Sequence, residues 1–146
     1  MHCCKNGRID ISGISFQRPD GFEFISFRVE QSLFLLHAPD HSVVVRFMIA
    51  CECMDTYTEL KYLFSDFPNL QLRGEIKHIF QNGITGHQAI YSEGDGEYLV
   101  TRFALAGDRH LVVLIYGNQP IENILQRPDM IAFMQSFRKK ETKPNT

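Results

Sequence analysis

The fold is decided by residues 71–116, QLRGEIKHIFQNGITGHQAIYSEGDGEYLVTRFALAGDRHLVVLIY. Short turn sequences separate four runs of alternating or apolar residues, and Asn82-Gly83 is among the strongest short hairpin signals. The spacing predicts four strands, over residues 71–81, 84–92, 97–106 and 110–116. Because tight turns join them, these strands form an antiparallel meander. The last strand is apolar on both faces, which places it inside the sheet.

Further strands precede this meander. Residues 8–17 alternate around a central turn, and residues 22–27 are aromatic and extended. Residues 32–38 and 42–51 flank Pro39-Asp40-His41 and predict a hairpin with a short loop. The second arm of this hairpin, SVVVRFMIAC, is rich in β-branched residues and long enough to be a central strand.

Two segments have helical spacing. Asp55 is a typical N-cap, and an apolar stripe follows it at intervals of three and four residues, at Tyr57, Leu60, Leu63, Phe64 and Phe67. This predicts an amphipathic helix of about three turns, ended by Pro68-Asn69. Near the C-terminus, two short helices are predicted on either side of Arg127-Pro128-Asp129, the second over residues 130–138.

This order of elements predicts the fold class. Strands and helices are not arranged as alternating βαβ units, so the expected fold is α+β: a single-domain antiparallel sheet covered by helices. The 146 residues fit one domain, 1–146, with an ordered core over about 8–138 and mobile termini, 1–7 and 139–146.

Composition and charge exclude several classes of protein. The 15 Lys and Arg residues against 17 Asp and Glu give a formal net charge of −2, which argues against nucleic-acid binding. Arg138-Lys139-Lys140 is the only basic cluster, and we expect it to end the last helix. No run approaches the roughly 20 apolar residues of a membrane span, and no secretory signal is seen. A soluble, cytoplasmic protein without membrane insertion is expected.

Several segments carry a family resemblance. They are the N-terminal ISFQRPDGFEF, the helix after Asp55, NGITGHQAIY running into EYLVTRFAL and HLVVLIYG, and the closing MIAFMQSFR. The chain resembles the α/β/α sandwich superfamily of PsbP, the Ran-binding Mog proteins and the DcrB-like proteins, and more narrowly a bacterial group of this type. The resemblance implies a non-enzymatic binding or adaptor role. It identifies no catalytic residue, because the matched features are strands and turns.

The cysteines are the sharpest chemical question. Cys51 and Cys53 alternate, so in a strand they would point to the same face and could both bind one metal ion. However, Cys51 ends an apolar strand, where a free cysteine behaves as a small buried hydrophobe, and Cys3-Cys4 lies in the N-terminal segment. We therefore expect no metal site and no cofactor, with metal or redox use as the alternative.

The candidate ligand-binding residues lie in the meander. His87, Ala89 and Tyr91 should share one face of their strand, and the small Gly86 lets another backbone or a ligand come close. His87 and Tyr91, together with Arg102 on the next strand, could line a pocket. The alternative for His87 is a half-buried histidine in a structural hydrogen bond. His37 and His41 flank a turn and are expected at the surface. The carboxylates Glu93, Asp95 and Glu97 lack calcium-loop spacing and are expected to be solvated.

Phenylalanine is abundant, with 12 Phe and no Trp. Phe22, Phe24 and Phe27 exceed what one sheet face needs, so they could form an exposed patch for a protein partner or a homodimer. Packing under the helices is the alternative for them.

The sequence therefore favours a non-catalytic binding or adaptor protein that recognises a protein partner or a small apolar ligand. The alternative is a small hydrolase or metal-dependent enzyme that uses His87 with Tyr91, or Cys51 with Cys53.

Overall fold

A computed structural model describes residues 2–3, 7–29, 32–51 and 54–140. For residues 2–3, 26–29 and 32–33 it describes the backbone alone. The described strands are β1 (His2–Cys3), β2 (Arg8–Ile11), β3 (Ile14–Gln17), β4 (Glu23–Val29), β5 (Ser32–His37), β6 (Val43–Cys51), β7 (Gln71–Gln81), β8 (Ile84–Glu93), β9 (Gly96–Ala104), β10 (Arg109–Gly117) and β11 (Arg138–Lys139). The described helices are α1 (Thr56–Lys61), α2 (Ile121–Leu125) and α3 (Pro128–Gln135), with a 3₁₀ turn, Leu63–Ser65, after α1.

The strands form two sheets. A seven-stranded sheet has the order β4-β5-β6-β10-β9-β8-β7, and a four-stranded sheet has the order β1-β2-β3-β11. All described strand pairs are antiparallel. This confirms the predicted meander, and β6 and β10 lie in the interior of the larger sheet, as their apolar sequences predicted.

Helices cover the sheet less than the sequence predicted. One face of the seven-stranded sheet packs against the small sheet together with α2 and α3, and α1, the 3₁₀ turn and Leu70 pack on the other. No helix among the described residues is long and apolar enough to span a bilayer. The structure is therefore mostly antiparallel sheet with short helices.

The larger core is aromatic. Phe16 of the small sheet stacks on Phe47 of β6 and on Phe137, with ring centroids 4.8 Å apart in both pairs. Phe34 of β5 extends the stack through Phe47 at 4.5 Å, and Phe133 of α3 meets Phe16 edge-on at 5.8 Å. These five rings are almost fully buried, so they join the two sheets and α3 in one cluster.

Close backbone approach explains one glycine of the meander. A Cβ atom at Gly86 of β8 would lie 2.0 Å from the carbonyl oxygen of Arg102 on β9. The sequence predicted a close neighbour here, and the structure shows that it is the backbone of the adjacent strand.

Both helical segments are shorter in the structure than the sequence predicted. Asp55 caps α1 as predicted, accepting a hydrogen bond from the Thr58 amide at 2.7 Å, but α1 has only six residues before the 3₁₀ turn. The last helix ends at Gln135 rather than Arg138. Arg138 and Lys139 pair with β3 instead, because an extended chain here buries Phe137 and completes the small sheet.

The basic cluster is therefore not at a helix end. Lys139 donates its amide to Asn82, and the Lys140 side chain lies 3.4 Å from the Asp10 carboxylate. At the other terminus, which was predicted to be mobile over 1–7, His2–Cys3 pairs with β2.

The aromatic core predicts a large difference between two phenylalanine substitutions. Phe16→Ala removes a ring that is 0% exposed, so we expect the free energy of unfolding to fall by about 3–5 kcal/mol. Phe64→Ala, at a ring 51% exposed, should change it by less than about 0.5 kcal/mol. Urea unfolding followed by circular dichroism measures both, and equal losses would contradict the packing described.

Candidate functional site: an apolar groove beside the first helix

A groove of about 500 Å³ opens on the face of the large sheet that carries α1. We call it the α1-face groove. Its lining is dominated by apolar and aromatic side chains: Met48, Ala50, Leu63, Asp66, Phe67, Leu70, Tyr91, Glu93, Tyr98, Val100, Arg102, Val112 and Leu114. The groove thus lies between the sheet and the chain that follows α1.

Strand alternation forms the floor of the groove. Side chains on alternate positions of β6, β9 and β10 point to this face, and the central ones, Ala50, Val100 and Val112, are small. On the same three strands, the intervening side chains enter the aromatic core. The small floor residues leave space that α1 does not fill, because Leu60 and Leu63 pack at only one end of this face.

The structure brings two of the three predicted ligand residues into the groove. Tyr91 and Arg102 line it, whereas His87 is absent from the lining and lies under the start of α1. His87 and Arg102 are direct cross-strand neighbours, so all three residues share one face, as the alternation predicted.

Tyr91 holds α1 on the sheet. Its hydroxyl donates a hydrogen bond to the backbone carbonyl of Leu60, and the residue is 2% exposed. Burial raises the pKa of Tyr91 to about 12, against a smaller opposing effect of the Arg102 charge. A phenol that stays protonated and is engaged in this way is a poor base or nucleophile at neutral pH.

His87 fixes the other end of the same helix. Its Nδ1 lies 2.7 Å from the hydroxyl of Thr56, the first residue of α1, and its ring contacts Tyr57 edge-on. The ring of His78 on β7 lies 5.0 Å away. Desolvation lowers the pKa of His87, the nearby His78 lowers it further, and the Asp55 carboxylate opposes both.

Arg102 supplies a buried cation at the groove. It is 7% exposed, and one of its guanidinium nitrogens lies 3.4 Å from Nδ1 of the buried His110. Asp66 and Glu93 are exposed lining residues, so the three charged groups lie around an otherwise apolar space.

The apolar patch predicted around β4 differs from the observed surface. Phe22 is 4% exposed and belongs to the aromatic core. Phe24 is 36% exposed and packs on Phe34 at 5.0 Å, and the side chain of Phe27 lies outside the described residues.

Exposed aromatic residues occur instead after α1. Tyr62, Phe64 and Phe67 are 49%, 51% and 55% exposed, and Phe67 lines the groove. The spacing of Phe64 and Phe67 predicted that they belong to a core-facing helical stripe, but α1 ends at Lys61 and the 3₁₀ turn rotates these positions outward. The sequence placed the end of this helix at Pro68-Asn69, whereas α1 ends seven residues earlier, at Lys61.

The cysteines and the other histidines that the sequence singled out do not come together in one site among the described residues. Cys51 is exposed at the end of β6 rather than buried, and Cys53 lies outside the described residues. His37 is buried and stacks on His41 at 4.4 Å, which differs from the surface position expected for it. Within the described ranges, no group of three or more His, Cys, Asp or Glu residues could hold a metal ion.

One of the hairpin carboxylates has a structural role. Glu97 accepts a hydrogen bond from the amide of Ile121, the first residue of α2, at 3.2 Å. The sequence indicated a solvated turn, and this carboxylate instead helps to position a helix.

Solved structures similar to this fold include those of CyanoP and LpqN. Cyanobacterial PsbP (CyanoP) from Synechocystis sp. PCC 6803 has a TM-score of 0.67 and 11% identity, over 90% of this chain and 91% of its own. LpqN, involved in cell envelope biogenesis of Mycobacterium tuberculosis, has a TM-score of 0.59 and 11% identity, over 88% and 83%. No protein-family model and no curated protein matches the sequence. These comparisons establish a PsbP-like fold, and the likeness to Mog and DcrB proteins stays a prediction.

The burial of the Tyr91 hydroxyl predicts an effect at alkaline pH. In the unfolded chain the phenol ionises near pH 10, before the folded one at about 12, so wild-type stability falls as pH rises through this interval. Tyr91→Phe should lose about 1 kcal/mol of stability at pH 7 and lack this part of the alkaline decline. Urea midpoints from pH 7 to 11 test both, and parallel profiles of the wild type and the variant would contradict the pKa that burial raises at Tyr91.

The lowered pKa of His87 predicts the opposite dependence in acid. The unfolded chain binds a proton near pH 6.5, before folded His87 does, so this residue makes stability fall as pH drops below that value. His87→Gln should remove this contribution and flatten the profile between pH 7 and 5. Urea midpoints across that range measure it, and a steeper profile in the variant would disprove the assignment.

Proposed function

We propose that this chain is a non-catalytic binding protein that takes up a small apolar ligand in the α1-face groove. The observation that carries this proposal is the groove itself: about 500 Å³ of space above a floor of small apolar side chains. Ligand sites commonly have volumes of about 300–1,000 Å³ and are lined mainly by hydrophobic residues with a few polar groups. The size and chemistry of this groove match that description.

The positions of the ionisable groups support binding over catalysis. The Tyr91 hydroxyl is engaged by Leu60, and the Nδ1 atom of His87 is engaged by Thr56, so both contribute to holding α1 in place. A catalytic pair would need its reactive atoms within reach of one substrate atom. The alternative enzyme with Cys51 and Cys53 stays a prediction, as does the cytoplasmic location.

The polar groups around the groove favour a ligand with one polar end. The apolar part of the ligand would cover Val100, Val112 and Met48, while its polar end would lie near Arg102. Since Arg102 is nearly buried, a hydrogen-bond acceptor that reached it would gain a charge-assisted contact in a poorly solvated site.

A protein segment is the second candidate for the same site. The exposed rings of Tyr62, Phe64 and Phe67 follow α1, and Phe67 lines the groove, so an apolar segment lying across this surface would cover them as well. Exposed apolar patches of this kind commonly mark partner surfaces.

A pair of tryptophan substitutions on β6 tests the proposal. Met48→Trp should fill the groove, because Met48 lines it, and should weaken binding of the uncharged dye Nile red by about tenfold or more. Val44→Trp is the matched control. Val44 lies on the same strand and face, is also partly buried, and does not line the groove.

Fluorescence titration of folded protein measures the dye affinity, and urea unfolding confirms that each variant keeps a cooperative transition. We expect saturable binding by wild type and by Val44→Trp. Failure of the wild-type protein to bind, or equal binding by Met48→Trp, would refute a ligand site in this groove.

A further inference from the structure

The α1-face groove carries charges of opposite sign at two separate positions along the strands. Arg102 of β9 lines it directly opposite His87 of β8. Glu93, which also lines the groove, lies further along β8 and on the same face as His87, because the pairing of β8 with β9 is unbroken between them. At about 3.4 Å per residue, the positions of Arg102 and Glu93 are about 20 Å apart along the strands.

The floor between these two positions is apolar and aromatic. Val100 of β9 and Leu114 of β10 are cross-strand partners, and both line the groove beside the position of Arg102. The next pair of lining residues along the strands is Tyr98 with Tyr91. An apolar molecule that starts at Arg102 can therefore lie along β9 as far as Tyr98 without leaving the apolar floor.

The length of this floor fits an alkyl chain of moderate size. The distance from Arg102 to Tyr98 along β9 is about 14 Å at about 3.4 Å per residue. With carbon–carbon bonds of about 1.5 Å at about 111°, an extended alkyl chain advances about 1.25 Å per carbon, so about ten to twelve carbons span the floor.

The positive charge of the groove is the one that water screens least. Arg102 is buried, whereas the carboxylates of Asp66 and Glu93 are exposed. A charge in a poorly solvated site interacts more strongly than a charge at the surface. The charge of Arg102 also acts inside the groove, where it opposes the rise in the pKa of Tyr91. A charged ligand group therefore gains most if it is negative and meets Arg102.

We infer that the ligand of the α1-face groove is a straight-chain fatty carboxylate of about ten to twelve carbons, with its carboxylate on Arg102 and its chain over Val100 toward Tyr98. This inference rests on the proposed function, because it assigns the chemical class of the ligand taken up there. A guanidinium group can bind a carboxylate through two parallel N–H donors. Glu93, at the opposite end, repels a carboxylate and so favours this orientation of the ligand.

A comparison of head groups tests the sign of the charge. Isothermal titration calorimetry of the full chain at pH 7 compares decanoate, decan-1-ol and decylammonium, each below the concentration at which it aggregates. We expect decanoate to bind at least about tenfold more tightly than the other two, because Arg102 forms a charge-assisted contact with the carboxylate alone. An apolar site without this contact would prefer the alcohol, since a carboxylate loses more hydration on burial.

A comparison of chain lengths tests the extent of the floor. From octanoate to dodecanoate, the affinity should rise by about threefold to fourfold for each added CH₂ group, which is the gain expected for burying it. Tetradecanoate should bind no more than about twofold more tightly than dodecanoate, because its end passes the floor at Tyr98. An affinity that stops rising at octanoate would contradict the assigned position of the chain.

Substitutions locate the carboxylate. Arg102→Met keeps an unbranched side chain without the charge, and should weaken decanoate binding by about tenfold or more while changing decan-1-ol binding by less than about threefold. Arg109→Met is the matched control, because Arg109 is an exposed arginine of β10 that does not line the groove, and it should change neither. Glu93→Gln should tighten decanoate binding and weaken decylammonium binding, each by about twofold. Urea unfolding verifies that every variant keeps a cooperative transition.

The outcomes separate this inference from the proposed function. Equal binding of decan-1-ol and decanoate by the wild type would overturn the anionic ligand and leave the apolar site intact, as would tighter binding of decylammonium. Equal losses of decanoate and decan-1-ol affinity in Arg102→Met would overturn the contact assigned to Arg102. A wild-type protein that binds none of the three would refute the proposed function together with the inference.

Discussion

The alternation of side chains along four adjacent antiparallel strands is the constraint on which this structure depends. In β6, β10, β9 and β8, one set of residues enters the aromatic core and the other set forms the opposite face. The backbone hydrogen bonds of each pair hold this assignment, because a shift of one residue would exchange the two faces of a strand. The stable core and the groove are therefore two consequences of one register.

The two faces of the sheet are covered unequally. On one face, rings from both sheets and from α3 interlock around Phe16, and the packing leaves little space. On the other face, six residues of α1 and a 3₁₀ turn cover one end, and the rest stays open around Val100 and Val112. Stability thus comes mainly from the first face, which leaves the second free to carry a binding site.

Polar contacts with the sheet complement the apolar packing that positions α1. Thr56 meets His87 at the start of the helix, and the Leu60 carbonyl meets Tyr91 further along. Both sheet residues are ionisable, and the folded state favours the neutral form of each. The contacts that hold α1 beside the groove are therefore weakened in acid, through His87, and in alkali, through Tyr91. The sequence had suggested both residues as ligand residues.

The sequence by itself determined the strands of the meander and the faces of their side chains. Turn signals such as Asn82-Gly83, and the alternation around Tyr91, depend only on local backbone preferences, so the antiparallel meander could be read directly. Tertiary structure decided how far each opposing layer reaches. The chain after Gln135 becomes a strand because β3 offers a partner, and Phe64 turns outward because α1 stops early. The groove likewise exists because α1 and the 3₁₀ turn cover only one end of their face of the sheet. The spacing of residues along a chain determines which way a side chain points, but it does not determine which other residues pack against that side chain.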